Sequence, residues 1–255
     1  MNAAHNLPLV AGLELGGTKC VAMLARGNDI LARESVPTTT PGEVLPALSN
    51  ILAAWRTAQA IEAIGIACFG PIVLDPSDAR FGRLFAATKT GWSDADVAGW
   101  FAARHDLPIA LDTDVNAAAL AERAWGAAQG CDTLAYVTIG TGIGVGMVVN
   151  GAPVHGLLHP EFGHLRVRRR AGDGFAGTCR FHGDCIEGLA SGSSILARTG
   201  MRADKLPRDH PAVRDIVAEL AELIAALVLA VSPERIVIGG SAGLALAEAG
   251  HLAAI

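Results

Sequence analysis

Residues 9–25 read LVAGLELGGTKCVAMLA, and residues 134–149 read LAYVTIGTGIGVGMVV. Each stretch is an apolar run, a short glycine loop and a second apolar run. Each then meets a turn signal, Arg26-Gly27-Asn28-Asp29 in the first and Asn150-Gly151 in the second. Glycine between two strand-like runs predicts a hairpin, and Asn-Gly predicts a tight type I′ turn. The same order returns about one domain's length later, which reads as an internal duplication giving two similar α/β domains. Gly16-Gly17-Thr18-Lys19 is not a Walker loop, because the spacing is too short and no helix follows. Gly140 to Gly146 has spacing that mimics a dinucleotide fingerprint, but it opens a strand and not a helix. Two readings of the loops stay open: tight hairpin turns, or backbone amides placed to approach anionic oxygens.

Around these two hairpins the periodicity predicts a helix over 42–59, a strand from 63 and a helix around 94–105. A short strand follows at 108–112, then an alanine-rich helix over 117–128. Residues 188–198 read as one helix. Apolar residues at helical spacing from Val213 to Leu227 predict another, ended by Pro233. A last strand at 235–238 runs into Gly239-Gly240-Ser241, whose helix could offer its N-terminal amides to a nucleotide.

The 255 residues suffice for one large core or two modest ones. A hydrophobic fraction of 51%, with 18% charged residues and mean hydropathy of +0.38, excludes a disordered chain. The net charge of −5 argues against a nucleic-acid binder. The N-terminal stretch shows no basic region followed by an apolar one, so no signal peptide is expected. The helix over 212–231 carries Glu219 and Glu222, so no membrane span is expected, and the cytoplasm is the default location.

The rarer side chains concentrate in HPEFGHLRVRRRAGDGFAGTCRFHGDCIE at 159–187. His164, Cys179, His182 and Cys185 offer two nitrogens and two sulfurs in a spacing that suits a closed, structural zinc site. A Cys179–Cys185 disulfide and ordinary surface histidines are the alternatives. A disulfide leaves both histidines unexplained, and nothing else points to an oxidising compartment. Glu161 lies three residues before His164, so a helical turn would face both the same way. The arginines at 166, 168, 169 and 170 read as a solvated strand edge. Cys20, Cys68 and Cys131 sit in apolar runs and read as reduced core thiols.

Asp112-Thr113-Asp114-Val115-Asn116 falls where a strand ends and a helix begins. A calcium loop would need Gly and Glu at the places of Ala117 and Arg123, so that reading fails. Helix capping by an aspartate and a general base aimed at a substrate hydroxyl both remain. Phosphoryl transfer asks mainly for alignment and charge neutralisation, so one ionised carboxylate with Mg2+ would suffice.

Taken together, these strings resemble the sugar kinases of the ROK (repressor, open reading frame, kinase) family, and within it the bacterial fructokinase branch. The likeness runs through GLELGGTK at 12–19, FGPI at 69–72, TKTGW at 88–92, DTDVNAAALAE at 112–122 and WGAAQG at 125–130. It continues through TIGTGIGVG at 138–146, HPEFGH at 159–164, CRFHGDCIEGLASG at 179–192 and IVIGGS at 236–241. The resemblance implies an actin-like ATPase (ribonuclease H-like) fold: two duplicated lobes, a central cleft and a zinc knuckle in the second. The N-terminal lobe is expected over 1–112 and the C-terminal lobe over 113–255.

By position, Asp114 matches the catalytic base. Gly16, Gly17, Thr18 and Lys19 match the first phosphate loop; Thr138, Gly140, Thr141 and Gly142 match the second; Gly239 and Gly240 match the adenosine motif. Glu161, His164, Glu187 and Asn116 match sugar-contacting positions, and His164, Cys179, His182 and Cys185 the zinc ligands. The implied ligands are ATP, Mg2+, Zn2+ and a sugar, with neither nucleic acid nor membrane, in a homodimer. Glu14 stands where many relatives carry Asp, and Thr113 where glucose-type members usually carry Asn; both favour the fructokinase branch over glucokinase. D-fructose phosphorylated at its 6-hydroxyl is the expected reaction, with glucose or mannose the alternative substrates. Family members usually continue for several dozen residues, so the C-terminal lobe is expected to be short at its end. A sugar- and nucleotide-binding protein without turnover is therefore the second reading. A repressor of the family would need a helix-turn-helix domain ahead of the first strand near residue 8.

Overall fold

The computed structural model describes residues 7–85, 87 and 89–255. Thr88 of the TKTGW string and the first six residues of the N-terminal stretch lie outside them. The chain divides into two compact units, one formed by 1–117 with 155–159, the other by 118–154 with 160–255. The lobe boundary expected at 112/113 and the edge of the first unit differ by the opening turn of a helix.

In the first unit, β1 (Leu9–Leu15) pairs antiparallel with β2 (Lys19–Arg26), and β2 with β3 (Asp29–Pro37). Then α1 (Pro41–Ala58) leads to β4 (Ala63–Cys68), α2 (Val97–Ala102) and β5 (Ile109–Thr113), giving the sheet order β3-β2-β1-β4-β5. Leu9, Ala11, Leu13 and Leu15 alternate inward along β1, as a strand with one fully buried face requires. Val44, Leu45, Leu48 and Leu52 form the buried face of α1, each contributing about 1.5–3 kcal/mol by transfer from water.

The second unit repeats the plan. After α3 (Asp114–Trp125), β6 (Leu134–Ile139) pairs antiparallel with β7 (Ile143–Val149), and β7 with the two-residue β8 (Ala152–Pro153). Then α4 (Ile186–Ala190), α5 (Gly192–Thr199) and α6 (Val213–Val231) lead to β9 (Arg235–Gly239) and α7 (Ser241–Glu248). The order β8-β7-β6-β9 matches β3-β2-β1-β4, with β9 parallel to β6 as β4 is to β1. The duplication predicted from the two hairpins is thus present in the pairing itself. Asn150 and Gly151 both take positive φ, +52° and +80°, as their turn demands.

Several expectations are corrected. The helix expected over 94–105 is only Val97–Ala102, begun by Asp96, whose carboxylate accepts from the Gly99 amide at 2.8 Å. The alanine-rich helix starts at Asp114, three residues early, because the Thr113 hydroxyl caps it by accepting from the Asn116 amide at 3.1 Å. Residues 188–198 are not one helix: the chain turns at Ser191, whose side chain caps α5. The arginines at 166–170 form no strand edge. Arg168 meets Glu222 at 3.1 Å, Arg169 meets Asp173 at 2.8 Å and Arg170 meets Asp215 at 3.4 Å. Buried Arg198 of α5 meets Asp173 at 2.8 Å and Glu219 at 2.9 Å, so the segment after these arginines is pinned to two helices. Among the described residues, no helix is long and apolar enough to cross a membrane.

Candidate functional site

In the first unit, the loop between β1 and β2 is held from behind by its own carbonyls. Gly16 O accepts from the Thr38 hydroxyl at 2.7 Å, Thr18 O from the Thr38 amide at 3.1 Å, and Gly17 O from the Lys89 ammonium. A peptide's C=O and the next residue's N–H point opposite ways. Tying these carbonyls back therefore turns the amides of Gly17, Thr18 and Lys19 away from Thr38 and Lys89. A Cβ on Gly16 would come within 2.8 Å of Lys19 O, so only glycine fits there.

Asp112, Asp114 and Asn116 surround the end of β5, and the two aspartates differ sharply. The Asp112 carboxylate accepts from the Thr113 amide at 2.7 Å and the Asn116 side-chain amide at 2.9 Å, and lies 3.1 Å from His155 Nε2. Asp114 accepts from the neighbouring Val115 amide at 2.9 Å. Burial, and secondarily the nearby Glu14 charge, push its carboxyl up to about 6. The principal capping role left open for an aspartate falls to Thr113. One carboxylate of this pair is thus saturated by donors, while the other is half-buried and titrates near the range a general base needs.

In the second unit, His164, Cys179, His182 and Cys185 converge, all their donor atoms lying within 4.8 Å of one another. His164 Nδ1 is 3.7 Å from Cys179 Sγ and 3.5 Å from Cys185 Sγ, and His182 Nδ1 is 3.8 Å from Cys179 Sγ. A tetrahedral zinc ion with its usual S and N bond lengths sets N···S edges of about 3.6 Å. The donor set fits, and all the cysteines are free. Cys179 and Gly183 exchange backbone hydrogen bonds of 3.1 and 2.9 Å, closing the tight loop that brings Cys179 and His182 together.

This quartet closes on both segments that carry Glu161 and Glu187. Exposed Glu161 precedes the 3-10 turn Phe162–His164, and its carbonyl accepts from the His164 amide at 2.9 Å. Cys185 is the residue from which α4 starts, and Glu187 is in its first turn. The Glu187 carboxylate accepts from the Ile143 amide at 3.2 Å, beside the second glycine loop. A Cβ on Gly142 would overlap that carboxylate, and one on Gly163 would overlap the Ile143 carbonyl. Thr138 lies near the end of β6 and Gly140–Gly142 form the β6–β7 turn, where Gly140 O accepts from the Gly192 amide at 2.8 Å. Gly240, at φ +79°, leads into α7, and a Cβ there would strike the Ile139 backbone. Gly239 ends β9 opposite Thr138, so the adenosine-matched pair adjoins the second loop within this unit.

The model of the ROK family matches residues 10–249. The chain belongs to the ROK family. A fructokinase from Zymomonas mobilis is 42% identical over 234 residues, spanning 89% of this chain and 78% of that protein. A fructokinase from Pediococcus pentosaceus is 36% identical, spanning 91% and 80%. The crystal structure of a ROK hexokinase from Thermus thermophilus superposes with a TM-score of 0.75 at 29% identity, covering 96% of this chain and 89% of that one. This ROK chain therefore has the actin-like ATPase fold that its resemblance to the family implied.

Two residues of these surroundings escaped the sequence reading. His155 reaches Asp112 from 43 positions away, and Lys89 reaches Gly17 from 72. Neither contact leaves a local periodic signal; TKTGW stood out only as a string.

Proposed function

We propose that this protein is a fructokinase, transferring the terminal phosphoryl group of ATP to the 6-hydroxyl of D-fructose. Asp114 carries the reading: a half-buried carboxylate at the start of α3, met by a backbone amide and titrating near 6. As the new O–P bond forms and the bond to the departing ADP oxygen breaks, Asp114 takes the hydroxyl proton. The similarity to bacterial fructokinases selects the sugar. Residues 16–19 and residues 138–142 are the candidate phosphate loops, with Gly239 and Gly240 beside the latter as the adenosine motif. Glu161, His164, Glu187 and Asn116 contact the sugar.

His164, Cys179, His182 and Cys185 would hold Zn2+ with no open position, so the ion supplies rigidity and not Lewis acidity. It fixes the two segments bearing Glu161 and Glu187. Mg2+ bound with ATP would supply the charge neutralisation that phosphoryl transfer requires. A homodimer in the cytoplasm is part of the same reading, supported by the family resemblance. Coupled ADP release, measured across fructose, glucose and mannose with MgATP, tests the assignment. Fructose should give the highest kcat/KM. Equal or greater turnover with glucose would replace the substrate, and no turnover with any hexose would leave a binding protein.

A further inference from the structure

Residues 155–159 interrupt the second unit in sequence and belong to the first in space. The Gly156 amide donates to Leu158 O at 2.7 Å, which closes this short stretch on itself. It is then held at both ends. His159 Nε2 accepts from the Ile72 amide at 3.4 Å, and His155 Nε2 lies 3.2 and 3.1 Å from the two Asp112 oxygens.

An ionised carboxylate only accepts, so the His155 nitrogen that faces it carries a proton. Asn116 Nδ2 and His155 Nε2, 3.5 Å apart, are therefore two donors meeting one acceptor. The two Asp112 oxygens are used unequally. Oδ1 takes the Thr113 amide at 2.7 Å and the Asn116 side-chain amide at 2.9 Å, while Oδ2 faces His155 at 3.1 Å. The Thr113 hydroxyl in turn accepts from the Asn116 amide at 3.1 Å. One carboxylate thus ties together both sides of Asp114, the strand residue before it and the first turn of α3 after it. The Asp112 side chain is only 14% exposed, and a carboxylate that buried is costly to leave short of a donor. Without His155 it would turn toward water, and turning it breaks the bonds of Oδ1 to Thr113 and Asn116.

We infer that His155 is a positioning residue for phosphoryl transfer, which holds the Asp112 carboxylate and so fixes the β5–α3 corner on which Asp114 sits. It acts through Asp112 and not on the substrate. The inference rests on the kinase reading above, in which Asp114 takes the hydroxyl proton, and adds a residue to it.

The test compares wild type with His155→Leu, which removes the donor, and His155→Gln, whose side-chain amide restores one at similar reach. Steady-state kinetics are read separately for fructose and MgATP, and amide hydrogen exchange is read over 112–117 without ligand. His155→Leu should lower kcat at least about tenfold, because a displacement of about 1 Å at a reacting group costs about 10²-fold. KM for MgATP should stay within about twofold, and the melting temperature within about 5 °C of wild type. Exchange over 112–117 should quicken in His155→Leu and not across the rest of the first unit. His155→Gln should recover most of both losses. Adding Asp112→Asn to His155→Leu should cost little further activity, since both act through one tie. A His155→Leu variant with wild-type kcat overturns the inference and leaves the kinase reading intact. Overturning it equally would be a loss that His155→Gln does not recover, additive losses in the double variant, or faster exchange throughout the first unit. Any of these would make His155 a general brace of the fold. A wild type that phosphorylates no hexose overturns the kinase reading, and the inference with it.

Discussion

The two glycine loops share a hairpin and differ in what stands behind them. Loop 16–18 is braced by a cation and a threonine hydroxyl, Lys89 and Thr38, both acting on carbonyls. Loop 140–142 is braced by a carboxylate, Glu187, which accepts from the amide of Ile143. One local fold therefore serves two electrostatic environments, and the difference comes from residues distant in sequence. The first loop keeps its amides turned outward. The second shares an amide with an acid in the first turn of α4, the helix that starts from Cys185.

The comparison breaks most sharply at glycine. Gly142→Ala would drive a Cβ into the Glu187 carboxylate, whereas Gly17→Ala would meet only the flexible end of Lys89 at 3.8 Å. Displacing a positioned group by about 1 Å can cost about 10²-fold, so Gly142→Ala should lose at least that in kcat/KM for fructose. Gly17→Ala should stay within about tenfold of wild type. Equal losses would mean that Glu187 does not organise the second loop.

A smaller effect follows from removing the metal. Chelation, or Cys185→Ser, should release the segments carrying Glu161 and Glu187 and lower the melting temperature by about 5–10 °C, corresponding to a few kcal/mol at this size. KM for fructose should rise more than KM for MgATP, and added zinc should restore the chelated wild type but not the variant. A chelated protein with unchanged melting and kinetics would contradict a structural zinc.

The smallest effect concerns Asp114 as a folded-state acid. A raised carboxyl pKa means that folding favours the protonated form, so wild type loses stability as pH rises from about 4 through about 6. Asp114→Asn escapes this loss and should be the more stable protein at pH 7, by about 1–3 kcal/mol, with the gap closing below pH 4. Denaturant melts at the two pH values read it directly. A gap that does not change with pH would remove the desolvated carboxylate from the account.

Most of the fold was legible because its signals are local: alternation in Leu9–Leu15, the Asn150-Gly151 turn and the helical spacing from Val213 to Leu227. The convergence of the His/Cys quartet was legible for the same reason, three of its four members lying within seven residues. Helix starts were less so. Thr113 displaced the aspartates as cap, and Ser191 split α4 from α5, because either choice satisfies the same orphan amides. The pairs of Arg168 with Glu222 and Arg170 with Asp215, and the contacts of Lys89 and His155, depend on partners dozens of residues away, which no spacing rule reaches.

The central claim is that Asp114 takes the proton of the fructose hydroxyl. The pH profile of kcat/KM for fructose, compared between wild type and Asp114→Asn, tests it most directly. Wild type should fall about tenfold per pH unit below about 6, where the carboxylate becomes protonated. The variant should lose about 10²–10⁴ of the rate at pH 7 and show no such limb. A variant that keeps both the rate and the acid limb would show that the base lies elsewhere.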